Sequence, residues 1–178
     1  MNPLKLNIRT MATAAVVGAV YGVLTIALAP ISYAAVQLRV SEVLCILPFF
    51  IPGTAWGLFI GCVLANLYTG NIFDIVFGSL ATLLAALITA WLGRREHTRG
   101  NCALACLQPV IFNAVIVGAV ITAGYEGLSI LQHPEAYALN AFWVGLGEAI
   151  VLLVLGYPLT RYLPGLKFFR EYAEKCRS

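Results

Sequence analysis

The sequence predicts an all-α integral membrane protein with six transmembrane helices, the second of them short, and both termini in the cytoplasm. Three observations carry this expectation. Hydrophobic residues make up 61% of the 178-residue chain and charged residues only 11%, where soluble domains carry roughly 25% charged, and a soluble fold of this size cannot hide that much apolar surface. The apolar residues are gathered into runs punctuated by proline, glycine and charge, as lipid requires of helices. The basic residues stand at the ends of these runs rather than in a patch mixed with polar residues, which excludes nucleic acid as the reason for the net charge of +3. The chain reads as a single transmembrane domain over 1–178 in contact with membrane lipid, with a basic cytoplasmic tail at 166–178.

Met11 to Ala29 is uncharged and long enough as a helix to cross about 30 Å of hydrocarbon. Lys5 and Arg9 before it and Ala27-Leu28-Ala29 at its end resemble a signal peptide, but the run exceeds a signal core and Pro30 would follow the scissile bond. Its small residues recur every four positions, Ala15 and Ala19 in one row and Ala14, Gly18 and Gly22 in the next. Such rows let a second backbone approach, in a partner or in the same protein.

Pro30 to Val40 reads as a loop, because proline removes a helical donor and polar residues follow. Glu42 to Ile51 is apolar and too short to cross alone unless tilted or re-entrant. Pro52-Gly53 turns into a helix from Thr54 to Tyr68, and Thr69-Gly70-Asn71 turns again into a span from Phe73 to Leu92. Arg94, Arg95, His97 and Arg99 stop that span. Ala103 to Ala123 is the fifth segment; Tyr125 to Asn140 is mixed; Ala141 to Tyr162 is the sixth and holds Glu148 inside it. The tail from Leu166 is basic and amphipathic, the composition of a juxtamembrane anchor.

An even number of spans puts both termini on one side. With that side cytoplasmic, ten of the eleven Lys and Arg residues are cytoplasmic and only Arg39 is not, whereas a five-span count places one basic cluster outside. The same topology gathers Arg39, Glu42, Asn66, Asp74, Glu126 and Glu148 in the outer half of the membrane. A charge near the bilayer centre costs roughly 2.5–3.5 kcal/mol on insertion scales, so such residues usually face a bundle interior or a wet cavity and have a task. Glu148 is the clearest case, with Arg39 or Asn113 as a purely internal partner the competing account. Glu42 and Asp74 fall in first turns, where a helix dipole alone rewards a carboxylate. Arg39 gains nothing there, and its roles are an ion pair with Glu42 or a ligand contact. Tyr33, Phe73, Tyr125, Tyr137, Phe142 and Trp143 map to the same side, as an interfacial belt or, for Trp143 in particular, a stacking surface.

The five cysteines give no disulfide framework, and Cys102, Cys106 and His97 lack the second ligand pair of a zinc site. No Gly-x-x-x-x-Gly-Lys-Ser/Thr loop is present, neither His97 nor His133 lies in a His-Glu-x-x-His context, and no nucleophile with its base is apparent. The chain therefore reads as a binding subunit without cofactor or catalysis that borrows its energy, and not as an enzyme.

Six motifs together carry a family resemblance: Ala-Pro-Ile-Ser at 29–32, Gln-Leu-Arg-Val-Ser-Glu at 37–42, Leu-Pro-Phe-Phe at 47–50, Gly-Cys-x-x-Ala-Asn at 61–66, Asp-x-x-x-Gly-Ser-Leu-Ala-Thr at 74–82 and Gly-x-Gly-Glu at 145–148. From Ala14 to Pro158 the chain resembles the QueT family. The resemblance implies a substrate-binding S component of an energy-coupling factor (ECF) importer, taking up queuine or a 7-deazaguanine intermediate with a transmembrane T component and two cytoplasmic ATPases. It also implies that Ala15 and Ala19 match an Ala-x-x-x-Ala pattern that docks on the T component. For such a ligand, Glu148 or Glu42 suits the guanine-like edge, Asn66 and Arg39 other polar contacts, Asp74 an amine or loop order, Trp143 stacking, and Asn113 a place in the same substrate-binding set. An S component for another vitamin or purine-like solute, and a membrane enzyme or scaffold with an ion-pair network, are the competing expectations.

Overall fold

The structure, a computed structural model, describes residues 7–34 and 36–177, with the backbone alone at Arg177. Lys5, counted above among the inner basic residues, and Ser178 of the tail lie outside the described residues. All regular elements among the described residues are helical. The protein is an all-α membrane protein.

Helix α1 (Ile8–Ala27) starts where the Asn7 side chain accepts the Thr10 backbone N–H at 2.7 Å, and at about 1.5 Å per residue it reaches roughly 30 Å. Pro30 has no N–H to continue it. The chain makes one further turn, α2 (Ala29–Ser32), before the loop that the proline predicts. The short second segment is a 3₁₀ helix (Val40–Ile46) running into α3 (Leu47–Phe50). The 3₁₀ winding rises about 2.0 Å per residue, so these few residues extend about 20 Å, further than an α-helix of that length. Helix α4 (Thr54–Leu67) follows, then a π turn (Asp74–Gly78) that opens α5 (Ser79–Leu92). Helix α6 (Arg99–Val120), capped by Thr98, ends in a second π turn (Ile121–Tyr125). Helix α7 (Pro134–Val151) continues through a third (Leu152–Gly156) into α8 (Tyr157–Tyr162).

Four of these runs, Ile8–Ala27, Asp74–Leu92, Arg99–Tyr125 and Pro134–Gly165, are long and apolar enough to cross a membrane, and Val40–Phe50 and Thr54–Leu67 are shorter apolar helices. The last run starts seven residues before the expected Ala141, because Pro134 at the first helical position and Glu135 in the first turn are themselves helix-start signals.

The two rows of small residues in α1 have different fates. Ala14, Gly18 and Gly22 face α4, and a methyl group at Gly57 or Gly61 would overlap the carbonyls of Ala14 and Gly18, so the two backbones are in contact. Ala15 and Ala19 are exposed on the neighbouring face, in an apolar groove with Met11, Trp56, Ile60 and Leu64.

Both ends of the described chain meet at one end of the bundle. The tail is helix α9 (Lys167–Arg177), and it packs inward rather than lying free: Thr10 Oγ1 donates to the Cys176 carbonyl at 2.8 Å, Thr13 and Tyr172 share a hydroxyl hydrogen bond of 2.7 Å, and Phe169 meets Phe50 edge-on. The α5–α6 connection reaches the same cluster, with the His97 ring 4.6 Å from that of Phe49. At the opposite end lie residues 33–34 and 36–39 and two connections that turn through left-handed glycines, Gly70 and Gly127.

Candidate functional site: a buried polar cluster beneath a tyrosine-lined cavity

The opposite end holds the buried polar residues. Arg39 is 1% exposed. Its guanidinium lies 5.3 Å from the Tyr33 ring centroid, its Nε donates to the Ser32 carbonyl at 3.4 Å, and its Nη2 is 3.9 Å from Asp74 Oδ1. Of the two roles open to Arg39, the ion pair with Glu42 does not form; Arg39 is turned to Asp74. The reason is local. Glu42 points toward α1, where Tyr21 donates a short hydrogen bond to its Oε1, and Cys45 of the same 3₁₀ helix donates to Oε2 at 2.9 Å.

Asp74 owes its place to the π turn at the start of α5. Gly78 leaves room for the carboxylate, since a side chain there would come within 2.7 Å of Asp74 Oδ1. Asn66 donates to the Asp74 carbonyl at 2.9 Å, which ties α4 to this turn, and Tyr125 donates to Asp74 Oδ2 at 3.4 Å. On the far side, Asn113 of α6 donates to Glu148 Oε1 of α7 at 2.8 Å. Gly147 has no side chain to hold the loop away, and a methyl group there would come within 2.6 Å of the Gln37 carbonyl. The stretch from Gln37 to Glu42 is thereby pressed against the helix that carries Glu148.

The hydrogen-bond inventory of this region is incomplete in a concentrated way. Among the described residues, the buried side-chain atoms without a hydrogen-bond partner are Ser32 Oγ, Arg39 Nη2, Asn66 Oδ1, Asn113 Oδ1 and Glu148 Oε2. Each such atom costs about 1–3 kcal/mol of desolvation, and all belong to the polar cluster. They comprise donors on Ser32 and Arg39 and acceptors on Asn66, Asn113 and Glu148, the complement of a small polar solute. Neighbouring them is a cavity of about 520 Å³ lined by Tyr33, Gln37, Tyr68, Asp74, Tyr125 and Glu126 among others, within the usual size range of ligand sites. Burial pushes the Tyr33 phenol up to about 12, so it stays protonated and donates to the Ala65 carbonyl at 2.9 Å.

Of the residues anticipated from sequence, Arg39, Asn66, Asp74, Glu42, Asn113 and Glu148 are all buried. Trp143 is not among them. It is 38% exposed and packs edge-on against Phe142. Val144, Gly147, Glu148 and Val151 form the buried stripe of α7, and Trp143, five residues before Glu148, lies about 140° from it round the helix, beyond the Gly147 edge of that stripe. The rings that line the cavity are tyrosines instead. Tyr21, absent from the anticipated set, has a detectable signal: it shares a helical row with Ala14, Gly18 and Thr25, and a buried hydroxyl there requires an acceptor. Cys45 and Cys62, which lie inside apolar runs, make hydrogen bonds, Cys62 receiving Thr82 Oγ1 at 3.3 Å.

A family model described as "QueT transporter" matches residues 11–164. The chain belongs to the QueT transporter family. The matched region contains every residue of the polar cluster and stops short of α9. The chain is also similar to the Queuosine precursor transporter QueT of Lactococcus lactis subsp. cremoris (strain MG1363), with 38% identity over 74 residues, which are 40% of this chain and 44% of that relative. The match thus spans less than half the length of this relative. No solved structure matches the chain.

Proposed function

We propose that this QueT family member is the substrate-binding S component of an ECF-type importer. It captures a queuosine precursor, queuine or a 7-deazaguanine intermediate, at the outer face and delivers it inward. In this reading six helices cross the membrane, the Val40–Phe50 segment is the short second span, and both termini are cytoplasmic. The observation that carries the reading is the pair of buried, unpartnered acceptors Glu148 Oε2 and Asn113 Oδ1 on adjacent helices. A deazaguanine presents a ring N–H and an exocyclic amine side by side, which one carboxylate accepts together. Glu42, whose two oxygens are already engaged by Tyr21 and Cys45, is a structural carboxyl in this account. Glu148 reads the base edge, and Arg39 and Asn66 supply the remaining polar contacts.

Energy comes from a T component and two cytoplasmic ATPases, since the chain carries no nucleotide-binding loop of its own. The exposed Ala15–Ala19 row, whose own side chains are methyl groups, lies in the groove beside α4 and suits close approach of a partner helix. The deciding experiment is equilibrium binding of radiolabelled queuine to the purified chain without ATP. One-to-one binding is expected, and no binding of any deazaguanine would leave the polar cluster as a structural network.

A further inference from the structure

We infer that the connection between α5 and α6 binds the headgroup of an anionic phospholipid, with Arg95 as the residue that grips the phosphate and Trp91 as its support. The site stands on the membrane location of the chain and is independent of the ligand assigned to the polar cluster. The first ground is a collar of arginine. Each of the four long apolar runs carries an exposed arginine at the end of the bundle where the start of α1 meets α9: Arg9 in Ile8–Ala27, Arg94 and Arg95 just after Asp74–Leu92, Arg99 at the start of Arg99–Tyr125, and Arg161 in Pro134–Gly165. Arg170 of α9 joins them, since it lines a small cavity together with His97 of the connection. At the opposite end, among the described residues, the only lysine or arginine is the buried Arg39.

The second ground is that this charge has no answer within the chain. Among the described residues the ion pairs are Arg39–Asp74, His133–Glu135 and Lys167–Glu171, so none of the six collar arginines is in one. The connection itself sets Glu96 against Arg94, Arg95 and Arg99, and the first turn of α6 holds no acidic residue. An outside anion is what complements such a patch, and at the border of the hydrocarbon that anion is a lipid phosphate. The third ground is the geometry of one member. The Arg95 guanidinium lies over the Trp91 ring, 4.1 Å from its centroid. Trp91 stands in the last turn of α5 and is 48% exposed, the place where an indole sits at headgroup level. Lying over the ring fixes the guanidinium by its face and leaves its in-plane N–H fork free. Orienting a chain in the membrane needs only positive charge, which lysine supplies equally well. A held fork adds two-pronged recognition of phosphate, which lysine lacks.

The test titrates the purified full chain in detergent with phosphatidylglycerol labelled on one acyl chain, then displaces the label with unlabelled phosphatidylglycerol, phosphatidylcholine or inorganic phosphate. Phosphatidylglycerol is expected to displace it at a mole fraction at least about tenfold lower than phosphatidylcholine does. Inorganic phosphate at matched ionic strength should not displace it. Arg95→Lys keeps the charge and loses the fork, and Trp91→Leu removes the support. Each should narrow the preference to about threefold or less, with little change in melting temperature, because both positions are exposed. Equal displacement by the two lipids, or a preference that both substitutions leave intact, overturns the site and reduces the collar to a determinant of orientation. Displacement by inorganic phosphate overturns the lipid as its occupant.

Discussion

Asn113 Nδ2 donates to Glu148 Oε1 at 2.8 Å, while Glu148 Oε2 and Asn113 Oδ1 remain buried without partners. The two helices that carry them, α6 and α7, are packed so closely that a methyl group at Gly118 would come within 2.8 Å of Ala141. The pair is therefore held in place by backbone packing as well as by its own hydrogen bond. A site with fixed geometry and two unused acceptors is preorganised for a donor-rich edge, because the cost of ordering and desolvating the groups is met in folding.

Glu42 occupies the other kind of site, with Tyr21 and Cys45 on its two oxygens. Glu42→Gln and Tyr21→Phe are each expected to destabilise the chain by about 1.5–3 kcal/mol, the range for hydrogen bonds to charged groups. Queuine affinity should remain within about threefold, since three-fold is under 1 kcal/mol. Thermal melting of the purified protein beside equilibrium binding checks both; a large affinity loss at unchanged melting temperature would make Glu42 a ligand-binding group.

Arg39 and Asp74 form a buried pair at 3.9 Å. Removing one member strands the other, which typically costs about 3–5 kcal/mol. Arg39→Met and Asp74→Asn should each destabilise more than the double substitution does relative to either alone. A double-mutant cycle on melting or denaturant unfolding measures this, and additivity would mean that the two groups do not act as a pair.

The two faces of α1 should respond oppositely to added bulk. Gly57→Ala pushes a methyl group into the Ala14 carbonyl, and overpacking of this kind costs about 1–3 kcal/mol or more, so expression and melting temperature should fall. Ala15→Trp and Ala19→Trp extend from an exposed row and should preserve folding and ligand binding while abolishing assembly with the T component and uptake. Loss of binding in the alanine variants would show that their row packs internally.

Much of this is legible in the sequence, and the failures have physical causes. The apolar runs and their breaks define the helices because lipid leaves the backbone few choices. Pro30 and Gly70 act where local chemistry is decisive, whereas the helix expected from Ala141 already starts at Pro134. The two small-residue rows are visible as rows, but only α4 determines which one is buried. Arg39 and Glu42 are three residues apart and look like partners, yet the 3₁₀ winding turns them to different helices, a choice made by Tyr21 and Asp74 at a distance in sequence. Trp143, expected as a stacking surface, is 38% exposed against Phe142 and does not line the cavity. The cavity tyrosines come from three separate connections, and nothing local in the sequence brings them together.

Sidedness can be read with thiol reagents, because the five native cysteines are all buried. Leu131 is 94% exposed in the α6–α7 connection, and Leu131→Cys should react with a membrane-impermeant maleimide on intact cells. Arg95→Cys, in the α5–α6 connection, should react only after permeabilisation. The reverse pattern would invert the proposed topology.

The most direct measurement is queuine binding to the purified wild-type chain and to Glu148→Gln, side by side in detergent without ATP. The substitution keeps shape and removes the carboxylate. Without its paired, charge-assisted hydrogen bonds to the base edge, binding should weaken at least about tenfold, or about 1.4 kcal/mol, with the melting temperature of the unliganded protein little changed. Unchanged affinity in the variant would contradict the assignment of Glu148 to the ligand.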